Sequence, residues 1–250
     1  MPSLNERSYQ AELIDDLNLS NDALRQNLEE LATINKWLGG NEVTLSGLGK
    51  ILVEASLSEK TLRIADIGCG GGDMLKLMAN WLKKSPFKAD FVGIDANQFM
   101  IDFAKKRTIS QANISYIKED AFSDKLKDLN LDIATMTLFC HHFTENQLIE
   151  LFTNLRKSCR IGLIINDLHR HWFAYYSISW LTAIFSKSYL VKNDARLSVW
   201  RGFHQNELID ILQKAGFEKF TIQWRWAFRW EIVAWSTPFI TNSEINETQK

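Results

Sequence analysis

The chain predicts an α/β fold, a mostly parallel sheet covered by helices on both faces and finished by an antiparallel hairpin. Three observations carry this expectation. Short apolar runs alternate with helical stripes from residue 62 to residue 215. The first run leads into Gly68-Cys69-Gly70-Gly71-Gly72, and an amphipathic segment follows at once, the layout of a strand turning sharply into a helix. Near the end, Phe220, Ile222, Trp224 and Trp226 alternate with Thr221, Gln223 and Arg225, a two-residue period.

The elements follow in order. Leu24, Leu28, Leu31, Ile34 and Leu38 form a helical stripe over Asn21–Leu38, closed by Gly39-Gly40. A short second helix is expected over Leu48–Leu57 and a first strand over Leu62–Ile67. Asp73 suits a helix N-terminus, and Met74, Leu75, Leu77, Met78, Trp81 and Leu82 make that helix's buried face. Phe91–Asp95 is the second strand, and Phe99, Met100, Phe103 and Ala104 mark its helix. Ile114–Ile117 is the third strand and Leu131–Phe139 the fourth, with Leu148, Leu151, Phe152 and Leu155 on the helix after it. Arg160–Asn166 is the fifth strand; Leu208, Ile209, Leu212 and Ala215 form the last helix, stopped by Gly216. The hairpin turns at Ala227–Arg229 and returns over Trp230–Trp235. By segment, residues 1–45 read as an N-terminal helical lid, 46–236 as the sheet domain with a cap insert at about 167–204, and 237–250 as a polar tail.

Of the 250 residues 46% are hydrophobic and 24% charged, with a net charge of −1, so nothing electrostatic favours nucleic acid as the main partner. Cys69, Cys140 and Cys159 have no paired spacing, which fits a reducing cytoplasm rather than a disulfide framework, and no zinc-like Cys/His spacing predicts a metal. The first residues lack a basic segment followed by an apolar core, so no export signal is expected. Trp172 to Phe185 is uncharged but, at about 14 residues, shorter than the roughly 20 needed to span a bilayer. A connection of this length is usually a functional lid. Because Lys187 and Lys192 follow it, the run also admits weak contact with a membrane surface. Seven of the nine tryptophans lie between Trp172 and Trp235, as core filling or as the lining of a flat apolar site.

Ligands of open parallel sheets bind beyond the carboxyl ends of the strands. The polar candidates all fall there: Asp66 and the glycines, Asp95, Asp120, the pair His141-His142, and Asp167, His169, Arg170 and His171. A dinucleotide fingerprint would read G-x-G-x-x-G with an acid about 20 residues on. This chain has D-x-G-x-G-x-G from Asp66 to Gly72, with Asp95 further away, which disfavours a nicotinamide-dependent oxidoreductase.

With the acid after the second strand, Asp120-Ala121-Phe122 after the third and the terminal hairpin, the pattern resembles the class I S-adenosylmethionine-dependent methyltransferases over residues 45 to 236. The resemblance implies a Rossmann-like seven-stranded sheet, S-adenosylmethionine as cofactor and S-adenosylhomocysteine as product. It implies that Gly68, Cys69, Gly70 and Gly72 pass under the methionine part, with Asp66 near its amino group. Asp95 and the adjoining Ala96 would meet the ribose hydroxyls; Asp120, Ala121 and Phe122 would meet adenine, with Asn97 along its edge. Thr137 and Leu138 would face the methionine carboxylate and sulfonium.

Residues 31–40 and Ile165–His171 are similar to small bacterial methyltransferases associated with polyketide-type biosynthesis. That implies O-methylation of a hydroxylated, apolar small molecule. A hydroxyl nucleophile must lose its proton, and His142, His141 and His169, in that order, are the candidate bases. Asp167, Arg170, Tyr175, Tyr176 and Arg229 are candidate substrate contacts. Methyl transfer to nitrogen or carbon, and a cofactor-binding module without turnover, remain open beside this reading.

Overall fold

The computed structural model describes residues 3–20, 22–54 and 61–236. Its strands are β1 (Leu62–Ile67), β2 (Ala89–Asp95), β3 (Ile114–Lys118), β4 (Leu131–Thr137), β5 (Cys159–Leu168), β6 (Lys219–Arg225) and β7 (Arg229–Trp235). They form one sheet in the order β3-β2-β1-β4-β5-β7-β6. β7 is antiparallel to both neighbours, and the remaining pairs are parallel. The expected mixed sheet with a C-terminal hairpin is therefore the observed one.

The helices are α1 (Asp22–Trp37), α2 (Gly40–Glu54), α3 (Asp73–Leu82), α4 (Gln98–Arg107), α5 (Glu145–Ser158), α6 (Trp172–Phe185), α7 (Tyr189–Arg201) and α8 (Gln205–Lys214). The strands alternate between two cores because successive side chains leave opposite faces. Ile64, Phe91, Ile133 and Val233 meet Leu48, Ile51, Leu75 and Met78 of α2 and α3 on one face. Ala65, Ala134, Leu163 and Ile165 meet Leu148, Phe152, Ile211 and Leu212 of α5 and α8 on the other. Each fully enclosed valine, leucine, isoleucine, phenylalanine or methionine among them contributes about 1.5–3 kcal/mol relative to exposure.

The expected second helix is corrected at its start: it begins at Gly40, not Leu48. Gly39, at φ +69°, ends α1 by itself and Gly40 opens α2, where its lack of a side chain admits the Arg229 guanidinium. The predicted far end at Leu57 and the tail at 237–250 lie outside the described residues. β4 stops at Thr137, because Leu138 turns to φ +53° and the chain leaves the sheet there. The insert after β5 is α6 and α7, and α1 and α6 both pack on α7.

Residues 3–20 are strapped to the same helix. Asp194 of α7 accepts from the amides of Leu13 (3.0 Å) and Ile14 (3.1 Å), and Arg7 donates to the carbonyls of Arg201 (2.9 Å) and Phe143 (3.1 Å). Of the late tryptophans, Trp230 and Trp235 fill the core, whereas Trp172, Trp180, Trp224 and Trp226 are exposed.

Candidate active site

A cavity of about 950 Å³ opens at the carboxyl edge of β1, β2 and β4, under α1, α6 and α7. It lies at the upper end of the roughly 300–1,000 Å³ usual for small-molecule sites. Asp66, Gly68, Cys69, Gly70, Asp95, Ala96, Asn97, Asp120, Ala121, Phe122, Thr137, Leu138, His141, His142 and Arg229 all border it. The structure thus brings residues from four strand ends and the hairpin turn to one space.

The glycine turn is held by its own acids. Asp95 Oδ2 accepts from the Gly70 amide at 3.0 Å, and Oδ1 accepts from the Asn97 amide at 2.9 Å, so each oxygen keeps a lone pair. Burial raises the Asp95 carboxyl above its ordinary value despite those amides. Asp66 is enclosed, with Thr135 Oγ1 donating at 2.7 Å; burial pushes its carboxyl up to about 7. A side chain at Gly70 would meet only Leu28 Cδ2, at 3.6 Å, so the turn offers an open cradle there. Two enclosed carboxyls beside an open backbone cradle fit a ligand that carries a cationic amine and hydroxyl groups.

The two histidines follow β4 in a short 3-10 turn, Cys140–His142. His141 Nδ1 lies 2.7 Å from Asp167 Oδ1. Asp167 is buried, which alone would raise it, but His141 and the amides of Cys140, His141 and Leu168 hold it below its ordinary value. A charged Asp167 requires Nδ1 to carry the proton, so in neutral His141 the free Nε2 is the acceptor. His142 Nδ1 is held in the same manner, 2.6 Å from Asp15 Oδ1; Asp15 also pairs with Arg201 at 2.7 Å.

Glu12 closes the histidine end. Its Oε1 is 3.7 Å from His141 Nε2 and lacks a hydrogen-bond partner, and burial pushes the carboxyl up to about 7. One ligand atom each of Glu12, His141 and His142 lies within 4.8 Å of the others, a set open to a divalent cation. Sequence spacing does not show it, because the glutamate comes from the N-terminal strap. Arg201 Nε, 3.7 Å from the same Glu12 oxygen, already places a positive charge there.

Several expected site residues lie elsewhere. Arg170 is buried away from the cavity, donating to Glu207 (2.7 and 3.0 Å) and to the carbonyls of Leu4 and Gly202. Its role is to tie α8 to the N-terminal strap. His169 is also off the cavity: Trp224 Nε1 donates to its Nδ1 at 3.2 Å, and burial beside His171 and His204 pushes it down to about 4. Tyr175 and Tyr176 lie on α6 beside the lining residues Phe173, Ala174, Ser177 and Ile178, but do not border the space. Asp167 reaches it only through His141. Gly72 sits at the start of α3 against the Tyr116 hydroxyl, so it allows packing rather than bordering the cavity.

Other lining residues had no local signal. Glu12, Asp15, Asn35 and Phe228 arrive from the strap, α1 and the hairpin turn. Backbone strain does mark the site. Among the described residues four non-glycines have positive φ, and three of them, Leu138, Ala227 and Phe228, border the cavity.

Residues 64–162 match the methyltransferase domain family. Over 90 residues the chain is 32% identical to a ubiquinone/menaquinone biosynthesis C-methyltransferase of Campylobacter jejuni, covering 36% of this chain and 37% of that protein. The match thus spans little more than a third of the length of the curated relatives. Among solved structures, human N-acetylserotonin methyltransferase in complex with S-adenosylmethionine superposes with TM-score 0.60 at 16% identity, over 85% of this chain and 55% of that one. The plantazolicin methyltransferase in complex with S-adenosylhomocysteine gives 0.57 at 23%, over 80% and 72%. The C-methyltransferase domain of the citrinin polyketide synthase gives 0.59 at 15%, over 77% and 51%. These structures agree in fold. Sheet order, glycine turn and domain match are in accord: residues 64–162 carry a methyltransferase domain, set in a Rossmann-like sheet of the class I methyltransferase type.

Proposed function

We propose that the protein methylates a hydroxyl of an apolar, ring-bearing small molecule, with His141 as the proton acceptor. The observation that carries this reading is that His141, paired through Nδ1 with the buried Asp167, borders the same cavity as the glycine turn. In the proposal, Asp66 faces the cofactor's amino group, Asp95 accepts from the ribose hydroxyls, and Asp120, Ala121 and Phe122 flank adenine. S-adenosylmethionine, when bound, supplies a methyl group on a positively charged sulfur.

The chain's own residues do the rest. The hydroxyl proton passes to His141 Nε2, and Asp167 holds the imidazole in the required tautomer and stabilises its charged form. His141 ranks above His142 because its carboxylate is fully buried and held by three backbone amides, which fixes the ring more firmly. Arg229 orients the resulting oxygen anion. It is buried at the cavity wall, bound through Nη2 to Asn35 at 2.6 Å, and its Nε and Nη1 have no partner. Burial lowers it to about 10, so it keeps its charge at neutral pH. Leu31, Ile34, Phe139, Phe143 and Phe228 give the acceptor apolar walls that exclude water.

Transfer to an acidic carbon is a second reading, favoured by the carbon acceptors named for the Campylobacter relatives. The same base would take a C–H proton. Incubation with phenols, quinols and 1,3-dicarbonyl compounds, followed by mass spectrometry and NMR of the product, separates O-methyl from C-methyl. His141→Ala should lower kcat by about 10²- to 10⁴-fold while leaving S-adenosylhomocysteine affinity within a few-fold. An unchanged rate in that variant removes the base from the scheme. Cofactor binding without turnover of any acceptor makes the protein a binding module.

A further inference from the structure

The outer face of α6 is apolar where a surface helix is ordinarily polar. The helix has no charged residue, and among its side chains only Ala174 and Thr182 are buried. Trp172, Tyr176, Trp180 and Ile184 recur every four residues and stand exposed as one stripe, with Trp172 at 60% and Trp180 at 67% of full exposure. Phe185, 69% exposed, continues it. The surface runs into the cavity: Phe173 and Trp180 of α6, Trp226 of the hairpin turn and Leu17 of the strap are exposed and border the opening as well. The mouth of the site is therefore an aromatic rim.

Exposed lysines stand at one end of this surface. Lys187 follows Phe185 after one residue, and Lys192 lies in the first turn of α7. Glu30, the carboxylate against the α6–α7 junction, is engaged by the Ser186 hydroxyl and the amides of Lys187 and Ser188. Among the described residues, no ion pair involves the side chains of Lys187 and Lys192. Tryptophan and tyrosine with flanking lysine is the composition of a bilayer interface, where rings sit at headgroup depth and ammonium groups meet phosphates. Contacts between protein copies are depleted in lysine. No helix among the described residues is long and apolar enough to cross a membrane, so the contact is superficial.

We propose that α6 and the hairpin turn dock on an anionic lipid bilayer, and that the methyl acceptor is an amphiphile entering the cavity from it. The second clause rests on the methyltransferase reading above; the first does not. Through Phe173 and Trp180, a ring-bearing head group could pass from the bilayer to the His141 end while its chain stays in lipid.

The test is flotation of the full-length protein with phosphatidylcholine vesicles, with and without phosphatidylglycerol. The protein should float with the anionic vesicles. Trp172→Glu/Phe185→Glu, two exposed positions off the cavity lining, should weaken that partitioning at least tenfold with an unchanged melting temperature. Lys187→Gln/Lys192→Gln should weaken it on anionic vesicles only. With a phenolic acceptor, the glutamate variant should keep its rate on a short, water-soluble compound and lose at least tenfold on a long-chain analogue held in vesicles. Failure of the wild type to float at low salt overturns the docking proposal. So does a wild-type dimer that the glutamate variant converts to monomer, since the face would then be a self-contact. Flotation together with equal rates on both acceptors retains the docking and overturns bilayer delivery. Absence of turnover on the soluble acceptor counts against the methyltransferase reading alone, because flotation is measured without it.

Discussion

Asp66 shows how much one enclosed carboxyl can govern. Its folded-state value, about 7, lies above the ordinary 3.8, so the folded protein holds a proton there that the unfolded chain releases. The stability this contributes is present below the ordinary value and is lost as pH rises through about 7. A cationic amino group placed beside Asp66 favours the ionised form and expels that proton. Cofactor affinity should therefore increase with pH up to about 7 and then level off. Calorimetry at pH 6 to 6.5 in two buffers of different ionisation enthalpy should report net proton release, absent in Asp66→Asn. Equal heats in both buffers for the wild type would remove Asp66 from the amino-group site. Asp66 is legible in the sequence through its place in D-x-G-x-G-x-G. Arg170 is a contrasting case. It follows a strand end in a polar run, and only the fold reveals that Glu207 and main-chain carbonyls take up its guanidinium.

At the scale of the element, the glycine turn between β1 and α3 divides its labour by position. Gly68 (φ +71°) and Gly72 (φ +74°) are closed in, by the ring of Phe139 and the hydroxyl of Tyr116, whereas Gly70 (φ +47°) faces open space. Gly68→Ala should lose fold stability outright, because positive-φ strain adds to a clash with an aromatic ring that cannot give way. Gly70→Ala should fold at a cost of about 1–2 kcal/mol from the left-handed backbone and weaken cofactor binding at least tenfold. Thermal melts with S-adenosylhomocysteine titrations distinguish the two; a Gly70→Ala that binds normally would show the cradle unused. Spacing alone marks all the glycines equally. What separates them is which neighbour the tertiary packing places over each. The same limit explains the second helix: Gly39-Gly40 looks like one stop signal, yet Gly39 ends α1 and Gly40 starts α2.

For the whole molecule, one cavity joins residues from the strap, α1, the carboxyl ends of β1 to β5, α6, α7 and the hairpin. A ligand bound there links segments that otherwise meet along a seam, and binding only the folded state stabilises it. S-adenosylhomocysteine at a hundredfold excess over Kd adds about 2.7 kcal/mol, which for a chain of this length raises Tm by about 5–10 °C. NAD at the same concentration should leave Tm unchanged. A shift with NAD and none with S-adenosylhomocysteine would overturn the cofactor assignment.

The strands, their alternation with helices, the antiparallel ending and the edge on which the polar residues gather can all be read from the order of residues alone. Those properties follow from local periodicity and turn chemistry, which act over a few residues. Which polar residues meet is set by the packing of the folded chain. Asp15 reaches His142 across 127 residues, and Asp167 reaches His141 across 26. Arg229 comes to the cavity while Arg170 and His169 turn from it. Pairing between distant segments depends on how packed layers bring their ends together. No local pattern along the chain records that distance.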